Sequence, residues 1–177
     1  MLTGGRSERM GRDKALIAIG GEPMASRVVH ALEDAGATEV VCVGGEVEAL
    51  RQIGHDAVVD DTPDAGPLGG ILAGMAWAHE PITVVAPCDL LDPSARPFTA
   101  LVVALVGSDA MAAVPIVDGS WRPLPAALRR DARQALADAF ADGERAVHRA
   151  MERLDFLAVD VGPFHDADTP EDLSGRR

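Results

Sequence analysis

The sequence predicts an α/β fold, a three-layer sandwich in which a mostly parallel central sheet lies between two layers of helices. Short apolar runs rich in β-branched residues alternate along the chain with Ala- and Leu-rich stretches of helical periodicity. This alternation implies right-handed βαβ crossovers, which cover both faces of a parallel sheet. The chain has 177 residues without an internal repeat or a long linker, so we expect one domain over residues 1–177.

The boundaries of the elements follow from the apolar pattern. Strands are predicted at 40–44, 57–59, 82–87, 110–117 and 156–161. Helices are predicted at 24–36, 46–53, 68–79, 94–106, 131–141 and 144–154. Pro123 and Pro125 interrupt the pattern and indicate an excursion from the main sheet.

The first strand is expected to be truncated. A glycine-rich segment begins at Gly4, and an α/β fold normally places a full strand before such a loop. Here only Met1 to Thr3 are available for that strand. We expect either a stub or a natural protein that begins upstream of Met1, and we favour the second interpretation.

Composition and charge exclude several classes of protein. The chain is 47% hydrophobic and 25% charged, with a net charge of −12, and a strongly acidic surface repels nucleic-acid phosphates. It has no apolar run long enough for a membrane span and no readable secretory signal. Cys42 and Cys88 adjoin apolar runs and form no zinc-binding pattern with histidines, so we expect reduced, buried thiols and a cytoplasmic protein.

The segment LTGGRSERMGRDKA, residues 2–15, has the composition of an anion-binding loop. Its glycines allow backbone N–H groups to approach a phosphate closely, and its arginines and Lys14 reverse the acidic charge of the chain locally. It lacks the spacing of a Walker A loop, because Lys14 lies three residues after Gly11 and is followed by alanine. It also lacks the G-x-G-x-x-G pattern of dinucleotide sites. Composition alone leaves a phosphate loop and a plain glycine-rich turn equally open.

The same segment resembles the opening motif L-x-G-G-x-S-x-R-M-G-x-D-K of the molybdenum cofactor guanylyltransferases. These enzymes belong to the nucleotidyltransferases with a glycosyltransferase-A-like fold. Three more segments agree in order and approximate spacing, namely GPLGG at 66–70, APCDL at 86–90 and DADTPEDL at 166–173. The resemblance therefore extends over nearly the whole chain.

The resemblance implies a Mg²⁺-dependent transfer of GMP from GTP to the terminal phosphate of molybdopterin, with release of pyrophosphate. It implies a nucleotide-binding half at 1–90 and an acceptor-binding half at 91–177. Implied partners are other molybdenum cofactor biosynthesis proteins and the molybdoenzymes that receive the product, with no role for nucleic acid or a membrane. Such a transfer needs in-line positioning and charge neutralisation rather than a protein nucleophile.

The resemblance also assigns the nucleotide site residue by residue. Lys14 and Arg9 would contact phosphates, and Asp89, expected at the carboxyl end of a central strand, would hold Mg²⁺. Asp61 would contact the nucleoside, with Asp60 as its competitor, and turn formation remains open for both. The nucleotide-binding residues implied in this way are Leu2, Thr3, Gly4, Gly5, Arg6, Lys14, Asp61 and Asp89.

The resemblance implies an acceptor site at Asp166 and Asp168, and Arg122 in the Pro-rich excursion is a further candidate for a contact with the acceptor phosphate. The two aspartates replace asparagines of the family pattern, and either a capping role or a second metal ligand at Asp168 remains open. Val43 stands where some members have a base-contacting asparagine. These departures leave two alternatives: a related transferase with another base or acceptor (a molybdopterin cytidylyltransferase or a sugar-phosphate nucleotidyltransferase), or an inactive nucleotide-binding module.

Overall fold

The computed structural model describes residues 1–4, 13–60 and 65–162, and these form a layer of strands between two layers of helices. The helices are α1 (Met24–Asp34), α2 (Val47–Gln52), α3 (Gly66–Trp77), α4 (Ala95–Val106), α5 (Ala132–Ala141) and α6 (Val147–Met151). The strands are β1 (Ala18–Ile19), β2 (Glu22–Pro23), β3 (Val41–Val43), β4 (Asp56–Val58), β5 (Ile82–Val85), β6 (Ala112–Val117), β7 (Ser120–Trp121), β8 (Ala126–Arg129) and β9 (Phe156–Asp160). A 3₁₀-helix covers Lys14–Leu16.

The amino-terminal residues lie in the middle of the sheet. Leu2 makes parallel bridges to Val43, the last residue of β3, and to Pro87 just after β5. Strand β4 pairs in parallel with β3 on one side, and on the other side β8 joins β5 to β6. Strand β9 is parallel to β6 along its other edge. Met1–Thr3 is therefore a short segment that connects the two halves of the sheet.

The sheet is mostly parallel, as predicted, and its antiparallel members are β7 and β8. Strand β8 is antiparallel to both β5 and β6, and β7 forms an antiparallel hairpin with β6. Strand β8 was not predicted from the sequence, because it is short and its residues, AALR, are mostly of helix-forming types. The excursion predicted at Pro123 and Pro125 is the connection between β7 and β8.

The core consists of apolar layers on both faces of the sheet. Helices α3, α5 and α6 cover one face, where Ile71, Leu136 and Met151 are buried. Helices α1 and α4 cover the other face, where Val28 and Phe98 are buried. This arrangement confirms the predicted three-layer sandwich. No helix in the described ranges has the length and apolarity to cross a lipid bilayer.

Most predicted boundaries lie within two residues of the observed ones, and the helix predicted at 144–154 is the exception. Gly143, with a φ of 91°, ends the preceding turn. The Glu144 carboxylate then accepts hydrogen bonds from the Arg145 and Ala146 amides at 2.9 and 2.8 Å. Because this local turn holds both amides, the helix begins only at Val147, and it ends at Met151.

Candidate active site

The candidate site lies where the carboxyl ends of the Met1–Thr3 segment, β3 and β5 meet. Open α/β sheets bind ligands at this edge, because the loops that leave neighbouring strands converge there. The chain leaves β3 through Gly44 and Gly45, whereas β5 leads through Pro87 to the turn that holds Asp89. The site therefore combines a glycine-rich backbone with an acidic side chain.

Lys14 and Asp89 are in contact at this edge. The Lys14 Nζ lies 3.1 Å from Asp89 Oδ2, although the two residues are 75 positions apart in the chain. Their side chains retain 20% and 23% of their exposure, so both remain accessible from solvent. The pair places one cation and one carboxylate at the mouth of the site.

Asp13 positions Lys14 and joins two loops of the site. Its Oδ1 accepts a hydrogen bond from the Ala15 amide at 3.0 Å, which caps the 3₁₀-helix that begins at Lys14. Its Oδ2 accepts from the Glu46 amide at 2.8 Å and so holds the loop after β3. No role of Asp13 was predicted from the sequence, although an aspartate immediately before a short helix is a recognisable capping signal.

Because Gly45 has no side chain, the loop after β3 can lie directly against Asp13 and Thr3. The φ of Gly45 is +71°, and an added Cβ would lie 2.6 Å from Asp13 Oδ2 and 2.7 Å from the Thr3 carbonyl oxygen. A side chain at this position therefore meets both backbone strain and a collision with fixed atoms.

We expect Gly45→Ala to lower the free energy of unfolding by about 2–5 kcal/mol, because a left-handed φ costs about 1–2 kcal/mol and overpacking costs about 1–3 kcal/mol. Gly54→Ala is the matched control, since Gly54 has a φ of +92° but no heavy atom within 4 Å of an added Cβ. Urea unfolding of both variants separates the collision from the strain. Equal losses in the two variants would contradict a steric role for Gly45.

Leu2, Thr3 and Gly4 form the floor of the site. The Leu2 amide donates to Ala86 O at 2.8 Å, and the Thr3 and Gly4 amides both donate to Val43 O. The Thr3 side chain is buried, and its hydroxyl lies 2.8 Å from Gly44 O. These three amides therefore hold the sheet together, and a nucleotide contact by this segment would use other backbone atoms.

Asp60 lies beside the first turns of α3. A Cβ added at Gly69 would lie 3.6 Å from Asp60 Oδ1, and one added at Gly70 would lie 3.1 Å from Leu2 Cδ2. The glycines at these positions let the helix approach both Asp60 and the sheet. Val43, which is buried, similarly lies against Gly74, where an added Cβ would be 3.4 Å from Val43 Cγ2.

Of the remaining predicted residues, the structure describes Arg122. Arg122 is exposed after β7, and its amide donates to Pro115 O at 2.9 Å. The neighbouring Trp121 stacks on His148 with a centroid separation of 4.0 Å. Several predicted residues lie outside the described ranges, namely Gly5, Arg6, Arg9, Asp61, Asp166 and Asp168.

The acidic residues permit one mode of metal binding. Among the residues that the structure describes, no three or more His, Cys, Asp or Glu side chains are grouped as a metal cage. Mg²⁺ in nucleotide sites is commonly held by one or two carboxylates together with substrate phosphates and water. Asp89, partly exposed at the mouth of the site, fits that mode.

Cys88 is next to Asp89 but is unsuited to nucleophilic chemistry. Burial, together with the nearby charges of Asp89 and Asp13, raises the pKa of the Cys88 thiol to about 12. Burial also raises the pKa of Cys42 to about 11. Because only the thiolate attacks, both side chains are inert near neutral pH.

We therefore expect both thiols to react with a disulfide reagent at pH 8 at least about tenfold more slowly in the folded protein than in denaturant. A raised pKa keeps a thiol protonated at this pH, and burial limits access by the reagent. The measurement is the time course over which the disulfide reagent releases its own thiolate as it reacts with the cysteines, recorded with and without guanidinium. A rapid reaction of either cysteine in the folded chain would contradict the expected burial.

Comparison with known proteins identifies the family. The family model described as the MobA-like NTP transferase domain matches residues 1–157. A molybdenum cofactor guanylyltransferase from Xanthomonas euvesicatoria is 34% identical over 184 residues, covering 98% of this chain and 90% of that protein. A protein of the same name from Methylibium petroleiphilum is 32% identical over 185 residues, and the aligned region covers 98% of this chain and 91% of that protein.

Solved structures share the fold. The molybdopterin-guanine dinucleotide biosynthesis protein A from Archaeoglobus fulgidus superposes with a TM-score of 0.79 at 22% identity, covering 97% of this chain and 92% of that one. The 2-C-methyl-D-erythritol 4-phosphate cytidylyltransferase from Thermus thermophilus has a TM-score of 0.74 at 19% identity, covering 92% and 91%. Both confirm the nucleotidyltransferase fold predicted from the sequence. With the family model matching residues 1–157 and relatives similar over nearly the full length, this chain belongs to the MobA-like NTP transferase domain family.

Proposed function

We propose that this protein transfers GMP from GTP to the terminal phosphate of molybdopterin and releases pyrophosphate. The observation that carries the proposal is the contact between Lys14 and Asp89 at the carboxyl edge of the sheet. The chain also resembles, over nearly its full length, proteins named molybdenum cofactor guanylyltransferase. The product of the transfer is the guanine dinucleotide form of the cofactor.

The reaction is a displacement at the α-phosphorus of GTP. An oxygen of the acceptor phosphate forms the new P–O bond, the bond to the bridging oxygen of pyrophosphate breaks, and pyrophosphate leaves with the electron pair. The Lys14 ammonium neutralises the charge that develops on the phosphates as pyrophosphate departs. Asp13 supports this role because it caps the 3₁₀-helix at whose start Lys14 stands.

Asp89 is the proposed ligand of Mg²⁺. When bound, the ion would neutralise phosphate charge and help to orient the triphosphate. Without a nucleotide, Asp89 pairs with Lys14, and each side chain neutralises the charge of the other in the partly exposed site. In a nucleotide complex, Asp89 would hold the cation and Lys14 would bind the phosphates.

The other residues implied by the resemblance have proposed roles on the two sides of this centre. Arg6 and Arg9 contact phosphates, together with the backbone at Gly5, and Asp61 contacts the nucleoside. Asp166, Asp168 and Arg122 receive the acceptor. We propose that the protein acts in the cytoplasm, together with other molybdenum cofactor biosynthesis proteins and with recipient molybdoenzymes.

One observation favours a second candidate function, a transfer that uses another nucleotide. Val43 replaces a base-contacting asparagine of some family members, and its side chain is buried against α3. The two aspartates at 166 and 168 likewise replace asparagines on the acceptor side. A cytidylyltransferase that uses the same acceptor is the corresponding alternative.

A thermal-shift panel with GTP, CTP, ATP and UTP, each with and without Mg²⁺, tests the proposal. A ligand at about 100 times its Kd adds about 2.7 kcal/mol to native stability. For a domain of this size this raises the Tm by about 5–11 °C. We expect the largest shift with GTP and Mg²⁺.

The controls make the outcomes distinct. A CTP-selective shift would replace the proposal by the cytidylyltransferase alternative, and the absence of a shift with every nucleotide would contradict nucleotide binding. Lys14→Ala should show a much smaller GTP shift than the wild-type chain. Pyrophosphate release with molybdopterin as acceptor then tests the transfer itself.

A further inference from the structure

The turn that carries Asp89 is held at both of its ends. At its beginning, the Cys88 amide donates a hydrogen bond to Leu2 O at 3.1 Å. At its end, the Leu91 side chain is buried in a small apolar cluster. Asp89 lies between these two anchors, so the position of its carboxylate at the edge of the sheet depends on both of them.

Arg27 on α1 holds the carboxyl end of this turn. Its Nη1 donates a hydrogen bond to Leu91 O at 2.8 Å, although the two residues are 64 positions apart in the chain. The Arg27 side chain is mostly buried, and a charged donor makes a stronger hydrogen bond than a neutral one. Its Nη2 also lies 4.0 Å from Asp92 Oδ1, but the Asp92 side chain is largely exposed, so water screens this ion pair. The bond to Leu91 O is therefore the main restraint that Arg27 places on the turn.

The same helix supports the other member of the Lys14–Asp89 pair. The Ile17 amide donates to Lys14 O at 3.1 Å, and the Met24 amide, at the start of α1, donates to Ile17 O at 2.9 Å. Arg27 lies about one helical turn after Met24. The beginning of α1 is therefore bonded to the segment of Lys14 and, through Arg27, to the turn of Asp89.

Apolar packing joins these segments but leaves their orientation to the hydrogen bond. Leu91, Ile19 and Met24 form one buried cluster, and Ile17 packs against it. Apolar contacts are non-directional, so this cluster holds the turn against α1 without fixing the rotation of its backbone. A hydrogen bond has a preferred angle as well as a distance. The bond from Arg27 to Leu91 O therefore supplies the direction that the packing lacks.

We propose that Arg27 is a positioning residue, which fixes the backbone of the turn after β5 and so keeps the Asp89 carboxylate in place for Lys14 and Mg²⁺. The inference rests on the proposed function, in which Asp89 is the Mg²⁺ ligand. Arg27 acts through the turn rather than on the substrate. Removing a group that orients a metal ligand typically costs about 10–100-fold in metal affinity or activity.

Three variants separate positioning from general stabilisation. Arg27→Met removes the donor but keeps a long apolar side chain. Arg27→Lys keeps the charge and can donate one hydrogen bond from a flexible stem. Arg51→Met is the matched control, because Arg51 also donates to a backbone carbonyl, Ala57 O, at 2.7 Å. Ala57 lies in β4, which β3 and the Met1–Thr3 segment separate from β5.

Hydrogen exchange at the Cys88 amide reports on the turn without any substrate. The Arg129 amide, which donates to Met111 O at 2.9 Å in another part of the sheet, reports on general opening of the fold. We expect Arg27→Met to speed exchange at Cys88 by at least about tenfold relative to exchange at Arg129. Arg27→Lys should restore part of the protection, and Arg51→Met should leave the ratio of the two exchange rates at its wild-type value.

The second readout is the half-saturating Mg²⁺ concentration for GMP transfer. We expect Arg27→Met to raise it by about tenfold, because a loosened turn holds the Asp89 carboxylate less well. Arg27→Lys should lie between Arg27→Met and the wild-type chain. Arg51→Met should keep the wild-type Mg²⁺ dependence, whatever its effect on the Tm.

The outcomes distinguish this proposal from a merely structural role of Arg27. A lower Tm for Arg27→Met with equal acceleration at Cys88 and Arg129, or with no acceleration, would overturn it. Faster exchange at Cys88 with an unchanged Mg²⁺ dependence would also overturn it, since the turn would then move without affecting the cation. If the wild-type chain transferred no GMP, the proposed function would fail, and exchange at Cys88 would still decide whether Arg27 fixes the turn.

Discussion

Lys14→Ala is expected to slow GMP transfer by about 10²–10³-fold, the usual loss when one preorganised charge-stabilising group is removed. The ammonium is 3.1 Å from Asp89 and only partly exposed, so its effect on developing phosphate charge is weakly screened. The loss should lie mainly in kcat, because charge accumulates on the departing pyrophosphate in the transition state. Initial rates of pyrophosphate release across GTP concentrations measure both parameters.

The fold should survive this change. Asp89 retains 23% of its exposure, so water can solvate the carboxylate that Lys14 leaves behind. The control is Arg133→Ala, which removes an exposed cation from α5. This variant should transfer GMP at nearly the wild-type rate. A Lys14→Ala rate within about threefold of wild type would remove Lys14 from the catalytic centre.

Asp89→Asn is expected to produce the second large loss, also about 10²-fold or more, together with a weaker dependence on Mg²⁺. The substitution keeps the size of the side chain but replaces a charged oxygen with an amide, which is a poor ligand for a hard cation. The measurement is the rate of transfer as a function of Mg²⁺ concentration. The half-saturating Mg²⁺ concentration should rise in the variant.

Asp109→Asn is the matched control, since Asp109 is an exposed aspartate in the turn between α4 and β6. It should leave both the rate and the Mg²⁺ dependence unchanged. Lys14→Ala should keep the wild-type Mg²⁺ dependence at its lower rate. An unchanged Mg²⁺ titration for Asp89→Asn would show that the cation is held elsewhere.

These two variants also test how far a motif predicts a site. The sequence alone indicated the family, the three-layer fold and the pair Lys14 and Asp89 as candidate residues. It did so because each signal is local: glycines and cations within one loop, and a carboxylate directly after a buried strand. Comparison with known proteins confirms the family and the fold, whereas the roles of the individual residues remain predictions.

Long-range packing decided the other features. The place of β8 between β5 and β6 follows from pairing across the sheet, which a short Ala-rich run does not reveal. Asp13 belongs to the opening motif, but only the folded chain brings the Glu46 amide within 2.8 Å of its carboxylate.

The sequence by itself determined which class of protein this is, because composition, apolar periodicity and local motifs are properties of the chain. Only the tertiary structure decided that Leu2 joins two halves of the sheet and that β8 lies antiparallel between β5 and β6. Both depend on strand edges that are distant in the chain, and hydrogen bonding across a sheet fixes such distances only when the whole domain has folded.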